Sequence, residues 1–491
     1  MENPGPGPAS PGSRRTAGRL RPEQAASGRT LCVYDPPMLR APLPLLLAPL
    51  LALSACASAH QPVLVTPPDT HHEAPPTLIK NVRVFTGLED ELTQPVDLLL
   101  SGGRIAKVTH PGQLDGPADA EVVDGTGKTL IPGLVDMNVR LGAVDDVPPW
   151  AGAIVEPRLQ AEALIYSGIT TVVAVGHDAD VEALQKEIAG GRVAGPRLFR
   201  STHPIVGKEA SEPGPFERWF RTKTVKPSNT PRDAARAARR DLESLRSDFV
   251  KVDFGGGPGL SRKALEAVVA EARMYERSVF VDARGPQDAA EAAEAGAGLL
   301  LHTPWTGALT PEQMDTIAMS GAPVVTTARI WAAMGERMSG AEIRSDLEKA
   351  IVPSEGGPGL SGAVSSDTRE LASSYDAALR ANLVALHRNG IPLLAGTGAG
   401  LPGVVHGASL HQELQALVEL GFPPSEVLKM ATSYPVRLLS PRSPFGMIGI
   451  GAYADVILLD GNPIEDISAV GRIVSVWQAG RRLERKVPSS D

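Results

Sequence analysis

Five short apolar runs end in, or carry, residues able to do chemistry. Leu134–Met137 is followed by Asn138-Val139-Arg140, Phe249–Val252 contains Lys251, and Ser278–Val281 leads to Asp282, with Arg284 two residues on. Leu299–Leu301 is followed by His302, and Ile391–Ala395 by Gly396-Thr397-Gly398-Ala399-Gly400. An imidazole and a carboxylate, His302 and Asp282, can ligate a divalent metal or act as an acid–base pair. Arg140 and Arg284 are permanent cations whose N–H forks grip carboxylate or phosphate. With uncarboxylated Lys251 they set three positive charges against the one of Asp282, so a pocket formed from these residues carries about +2. Two readings stay open. Asn138, Arg140, Lys251 and Arg284 line a cavity for a small anion, or internal pairing, such as Arg140 with Asp282, simply fills the space.

The frame that would gather these residues is an alternation of strand and helix. The β runs are Leu134–Met137, Ile169–Val175, Pro196–Phe199, Phe249–Val252, Ser278–Val281, Leu299–Leu301, Ala322–Thr326 and Ile391–Ala395. Ala-rich helical stretches lie between them, among them Pro231–Leu245, Ser261–Tyr275, Gln287–Ala295 and Thr368–Arg388. Short apolar strands alternating with helices imply a parallel sheet buried on both faces. Eight such units predict an α/β fold, a (β/α)8 TIM-type barrel whose site lies where the strands end.

Strand-rich segments flank this middle. Leu78–Phe85, Val96–Leu100, Ile105–Val108 and Glu121–Val123 precede it, and Ala454–Leu459 and Ile473–Gln478 follow. Together they predict a small β-sandwich built from both ends of the chain, with parts at 77–130 and 438–491 around a barrel at 131–437. His177 and His203, after the second and third barrel strands, are expected to face the mouth as hydrogen-bonded side chains rather than ligands. The insert at 207–230, with Phe216 through Lys226, reads as a cap on the mouth, a partner surface or a cover for exposed core. The stretch 331–367, Gly- and Ser-rich at Ser354–Ser366, reads as a lid or as plain disorder. Gly255-Gly256-Gly257-Pro258-Gly259 lacks the Lys-Ser/Thr of a phosphate loop and is expected to be a turn.

The first 56 residues are read as a leader outside the fold. Residues 1–37 are Pro-, Gly-, Ser- and Arg-rich without apolar period. Met38-Leu39-Arg40 and the apolar run Ala41–Leu53 match a secretion signal, too short to span a bilayer. Leu53-Ser54-Ala55-Cys56 resembles a bacterial lipobox, which implies cleavage after residue 55, lipidation of Cys56 and, with Ala57 next, the outer membrane. Residues 57–76 read as a tether, and His71-His72 within it is not expected to bind metal. The only other cysteine, Cys32, lies in the leader, so the mature chain has no thiol pair for a disulfide. The leader takes six Arg and three acids with it, moving the net charge from −8 to about −11. That balance excludes nucleic acid as a partner and leaves the acyl chains as the membrane link.

The chain from about residue 77 to 485 also resembles the amidohydrolase superfamily, in its imidazolonepropionase-like and prolidase-like branch. The likeness rests on Ile131-Pro132-Gly133-Leu134-Val135-Asp136 and Gly168-Ile169-Thr170-Thr171-Val172. It continues through His406-Gly407 with Leu410-His411-Gln412-Glu413-Leu414, Ala431-Thr432 to Pro435, and Ala454-Asp455 through Asn462-Pro463. The resemblance implies hydrolysis of C–N bonds by one or two divalent metals that generate hydroxide and polarise a carbonyl. It also implies a ligand set from which this chain departs. Asn138-Val139-Arg140 stands where His-x-His is expected, and Asp282 where a fifth-strand His is expected. Gly398 replaces the eighth-strand Asp, the general base. Lys251, at the position that is carboxylated in binuclear members, and His302 are kept.

From these departures the chain is expected to be a degenerate amidohydrolase of the cell envelope with no metal cofactor, binding a small anionic molecule. The main alternative is an active hydrolase of non-peptide C–N bonds, on a cyclic amide or dipeptide-like substrate. In that case Asp282 and His302 form an acid–base pair or, with Lys251, hold zinc or another divalent metal, with a base from Asp253 or a loop. A second alternative is an inert structural lipoprotein. Oligomer formation is compatible with each.

Overall fold

The computed structural model describes residues 75–142, 157–176, 179–207, 226–228, 230–255, 260–338, 366–401, 403–440 and 445–485. The leader with Cys56, His71-His72, His177, and most of the 207–230 insert and the 331–367 stretch lie outside them. So does the Gly-rich turn beyond Gly255.

Both ends of the folded chain enter one sheet. β1 (Thr77–Val84), β2 (Val96–Ser101), β3 (Arg104–Thr109), β4 (Glu121–Asp124) and β5 (Lys128–Pro132) come from the N-terminal side. β16 (Val456–Asp460), β17 (Ile473–Gln478) and β18 (Arg481–Arg482) come from the C-terminal side. The order is β18-β17-β16-β5-β1-β2-β3, with β4 also pairing β1. The expected sandwich is thus an eight-stranded sheet in which β1 is shared. Its first residues pair β2 and β4, and Arg83 and Val84 pair β5. The register breaks between Ile79 and Val82, where Asn81 takes a positive φ of 53°. Ile79, Leu98, Leu100 and Ile105 from one side share an apolar core with Leu130, Val456, Leu458 and Trp477 from the other. The alternate residues Ile457, Leu459 and Val476 enter the larger core around the barrel, as strand periodicity requires.

The barrel strands are all parallel. β6 (Leu134–Val139), β7 (Ile169–Ala174) and β8 (Arg197–Arg200) form one sheet. β9 (Ile205–Gly207), β10 (Lys226–Ser228), β11 (Val250–Phe254), β12 (Val279–Ala283), β13 (Leu299–Leu300), β14 (Val324–Val325) and β15 (Leu393–Leu394) form another, in the order β10-β9-β11-β12-β13-β14-β15. Continuous ladder pairing does not close the ring; isolated bridges cross its two seams. Ser201 bridges Phe249 and Val139 bridges Ala399. Met137 N donates to Ala395 O at 3.0 Å and Arg140 N to Ala399 O at 2.8 Å. The interior is packed with Val135, Met137, Val173, Phe249, Phe280, Leu299, Leu301, Val325 and Leu394.

Helices α1 (Pro157–Tyr166), α2 (Ala179–Ala189), α3 (Pro231–Leu245), α4 (Arg262–Met274), α5 (Pro286–Glu294) and α6 (Pro311–Ser320) lie between the strands. After them come α7 (Ile330–Met338), α8 (Ser366–Arg388), α9 (Ala408–Glu419), α10 (Pro424–Met430) and α11 (Ser433–Leu439). Local chemistry fixes their ends. Thr310 accepts from Gln313 N while the Gln313 side chain returns to the Thr310 N–H, a reciprocal cap for α6. The α3 start is capped by Thr230, with Pro231 at its first position. The buried faces of α3 and α5 are largely Ala (Ala234, Ala237, Ala238, Ala289, Ala293), which lets these helices lie close to the strands, while α4 buries Leu265, Val268 and Val269. Among the described residues no helix is long and apolar enough to cross a membrane.

Candidate site at the strand ends

Strand periodicity places the first candidates. Phe249, Lys251 and Asp253 alternate onto one face of β11, and Phe280 and Asp282 onto the matching face of β12. The register pairs Asp253 with Asp282, while the Phe249 and Phe280 rings stack at 4.2 Å. Asp253 and Asp282 therefore stand over a stacked aromatic pair of the interior core. Lys251 Nζ lies 3.3 Å from Asp253 Oδ1. Asp282 has Arg284 Nε at 3.9 Å and His302 Nε2 at 3.8 Å. Asp253 was missing from the sequence-based charge balance. Counting it, three cations face two carboxylates, and the site's excess is +1 rather than +2.

Burial works against the charge of Asp282, but His302, Lys251, Arg284 and Arg140 outweigh it and hold the carboxyl well below the usual range. The pairing envisaged from sequence, Arg140 with Asp282, is thus one of several electrostatic contacts on that carboxylate. Arg284 is mostly exposed at the rim, whereas Lys251 and Asp282 are buried. Three buried acceptors of the site, Asn138 Oδ1, Asp253 Oδ1 and Asp282 Oδ1, have no hydrogen-bond partner among the described residues.

Asn138 sets which group faces His302 Nε2. Its Nδ2 donates to the Leu301 carbonyl at 2.8 Å and lies 3.3 Å from His302 Nε2. Only the amide nitrogen can donate to a carbonyl, so its orientation is fixed. His302 Nε2 then faces an N–H and keeps its lone pair, leaving the proton on Nδ1, 3.4 Å from Thr327 Oγ1. Burial lowers the His302 pKa to about 4, helped by Arg140, Lys251 and Arg284 and opposed by Asp282. The imidazole is neutral at physiological pH.

The last strand supplies a scaffold where a base is expected. Thr397 N and Oγ1 donate to Asp136 at 3.0 and 2.7 Å, and Gly398 N donates to Asn138 O at 2.8 Å. Burial raises Asp136 to about 6 in spite of those bonds. Gly398 has φ +75°, and a Cβ there would lie 3.1 Å from Ile330 Cδ1 and 3.3 Å from Leu401 Cδ1. The position suits glycine and resists a side chain.

The segment 406–413 proves to be a set of staples, which sequence reading did not separate from the chemistry. His406 Nε2 donates to Arg140 O at 2.9 Å, and His411 Nε2 to Ser167 O at 2.9 Å. Burial lowers both imidazoles to about 4. Glu413 accepts from Thr326 Oγ1 at 2.5 Å, Ala328 N at 2.7 Å and Arg329 N at 3.0 Å. Burial pushes its carboxyl up to about 7. Gly407 is required between them: at φ +90°, a Cβ would meet Ser167 Oγ at 2.3 Å and Ala163 O at 2.6 Å.

His203 corrects an expectation. The third barrel strand runs on past the predicted Phe199, because Ser201 bridges Phe249 and Ile205 pairs Val252. His203 sits in the break between β8 and β9, and its Nδ1 lies 2.7 Å from the buried Asp241 carboxylate of α3. It packs toward a surrounding helix instead of facing the mouth. A separate cleft of about 320 Å³ lies on the terminal sheet, lined by Arg83, Glu91, Thr93, Asn462 and neighbours, and contains none of these strand-end residues.

A parallel barrel with a sheet built from both ends, and a site at its strand ends, defines the class. Residues 129–483 match the Amidohydrolase family, and the chain belongs to it. It is 29% identical over 102 residues to adenine deaminase 2 of Shouchella clausii, a match covering 21% of this chain and 16% of that protein. The chain thus spans about a sixth of the length of that relative. A crystal structure of a Xaa-Pro dipeptidase with methionine bound in its active site aligns with a TM-score of 0.68 at 24% identity, over 84% of this chain and all of that one. Molinate hydrolase aligns with a TM-score of 0.69 at 19% identity, over 84% and 95%. At such identities the likeness concerns the fold.

Divalent metals are usual in this family, and the described strand ends offer His302, Asp282 and Asp253 as donors. His302 and Asp282 stand 3.8 Å apart, with an amide N–H turned on the imidazole nitrogen and cations around the Asp282 carboxylate. Among the described residues no three His, Cys, Asp or Glu side chains come together as metal ligands.

Proposed function

We propose that this amidohydrolase-family protein does not perform the family's metal-dependent hydrolysis and binds a small anionic molecule at its strand ends. One observation carries the reading: the Asn138 Nδ2–H is held against His302 Nε2, the nitrogen a metal would need. Gly398, at the position of the general base, removes the proton acceptor as well. Arg140, Lys251 and Arg284 give the site its positive excess, and exposed Arg284 offers a guanidinium at the rim. The lipidated leader belongs to the same reading: Cys56 carries the anchor, and the barrel works in the cell envelope, at the outer membrane.

The test has two parts. Protein purified without chelators is analysed for metals, then melted with inorganic phosphate or acetate. Substoichiometric metal and a melting temperature that rises with anion concentration support the reading. One equivalent of zinc together with chelator-sensitive hydrolysis overturns it. A flat response to every anion favours the inert structural lipoprotein instead. For the anchor, mass analysis of the N-terminal peptide from a bacterial host should find a diacylglyceryl group on Cys56, absent in Cys56→Ala.

Family membership favours one second reading, a hydrolase of non-peptide C–N bonds on a cyclic amide or dipeptide-like substrate, with Asp282 and His302 as the acid–base pair. It requires that Asp282→Asn or His302→Gln abolish a measured activity.

A further inference from the structure

Glu413 touches none of the strand-end candidates, yet its contacts converge on the wall beside them. Its side chain is fully buried on α9. One carboxylate oxygen takes Thr326 Oγ1 and Ala328 N, and the other takes Arg329 N. Ala328 and Arg329 immediately precede α7, so the carboxylate also sits at a helix N-terminus, where the dipole favours negative charge.

Between the two anchored residues lies Thr327, a β-branched residue at φ +45°. That conformation is strained and persists only where neighbours hold it. Thr327 N donates to Gly396 O at 3.1 Å, and Thr327 Oγ1 faces His302 Nδ1 at 3.4 Å. The next residues of the turn continue the wall. Ile330 Cδ1 covers Gly398. The Trp331 ring packs edge-on to Trp305 at 5.5 Å, and Trp305 packs edge-on to His302 at 5.2 Å.

We infer that Glu413 is a positioning residue for the strand-end site, pinning the turn before α7 so that Thr327 Oγ1 stays in place to accept the proton that Asn138 leaves on His302 Nδ1, and Trp331 braces the ring through Trp305. The inference takes its importance from the binding function proposed for that site. Its test reads the imidazole and not a ligand, so the two fail separately.

The full chain, labelled with nitrogen-15 histidine, is observed by long-range proton–nitrogen NMR at neutral pH, with His302 assigned by its loss in His302→Gln. The wild type should show an Nδ1-protonated imidazole. Glu413→Gln should keep cooperative unfolding yet turn His302 into a mixture of tautomers and shift the tryptophan emission. Thr327→Val, which keeps the shape and loses the hydroxyl, should reproduce the tautomer change. Thr327→Ser, which keeps the hydroxyl, should not. If Glu413→Gln prevents folding, Thr326→Val removes one of the three bonds and is read in the same way. A folded Glu413→Gln or Thr326→Val protein with His302 unchanged overturns the inference, as does an unchanged His302 in Thr327→Val.

Discussion

The amide nitrogen of Asn138 stands 3.3 Å from His302 Nε2 while it donates to the Leu301 carbonyl at 2.8 Å. An amide held this way cannot turn its oxygen to the imidazole, because that would set two carbonyl-type oxygens against each other. The Nε2 lone pair is thereby met by an N–H, while burial keeps the imidazole neutral. Asp282, 3.8 Å away, is too far to orient it by a hydrogen bond.

Asn138→Asp should therefore raise the His302 pKa from about 4 by at least roughly one unit. A carboxylate would replace the N–H facing Nε2 and stabilise the imidazolium beside it. NMR titration of the His302 ring is the measurement. A midpoint that stays near 4 would show that burial alone, and not Asn138, sets the state of this histidine.

Restoring the expected base should fail. Gly398→Asp must place a Cβ at φ +75° against Ile330 and Leu401, at a cost of about 1–3 kcal/mol. Chemical denaturation should show that loss, and the variant should gain no zinc-dependent hydrolysis. A stable variant with chelator-sensitive activity would return the last strand to catalysis.

The barrel could be read in advance because its signal is repeated. Eight apolar runs separated by Ala-rich helical stretches leave little choice of architecture, and the family motifs fall in the same order. Asn138, Asp282 and His302 were legible as neighbours for the same reason, since strand ends converge in any such barrel. What stayed hidden depends on local backbone irregularity. A break between β8 and β9 turned His203 to Asp241, and no periodicity announces a break. Asp253 was passed over as a counter-charge because its pairing with Lys251 depends on side chain geometry across two residues of one strand. The 406–413 segment looked like a family motif, but His406, His411 and Glu413 within it hold backbone groups of remote loops. Such bonds leave no mark on local sequence pattern.

Lys251 should carry a free amine. Its Nζ lies 3.3 Å from Asp253 Oδ1, and a carbamate there would set one anion against another. Carbon-13 NMR after equilibration with labelled bicarbonate should show no signal that disappears in Lys251→Arg. Detection of one would mean that Asp253 has moved away and that the site accommodates a bridging anion.

Glu413 also gives the stability of the fold a defined dependence on pH. Burial raises its carboxyl from 4.5 to about 7, so the native chain holds a proton there that the unfolded chain releases. A group shifted upward contributes its stability below the unfolded value, and that contribution is lost as pH rises through the folded value. The window therefore runs from about 4.5 to about 7. A shift of this size corresponds to about 3 kcal/mol between its two ends. Replacing Glu413 with Gln removes this titration, while Asp136, raised to about 6 and one of the charges that push Glu413 up, titrates in both proteins. Urea unfolding of wild type and Glu413→Gln at about pH 5 and about pH 8 isolates the effect. The wild type should lose ground to the variant as pH rises. A difference that stays constant, or that grows in favour of the wild type, would mean that the three hydrogen bonds on Glu413 keep it ionised throughout and outweigh the cost of burying its charge.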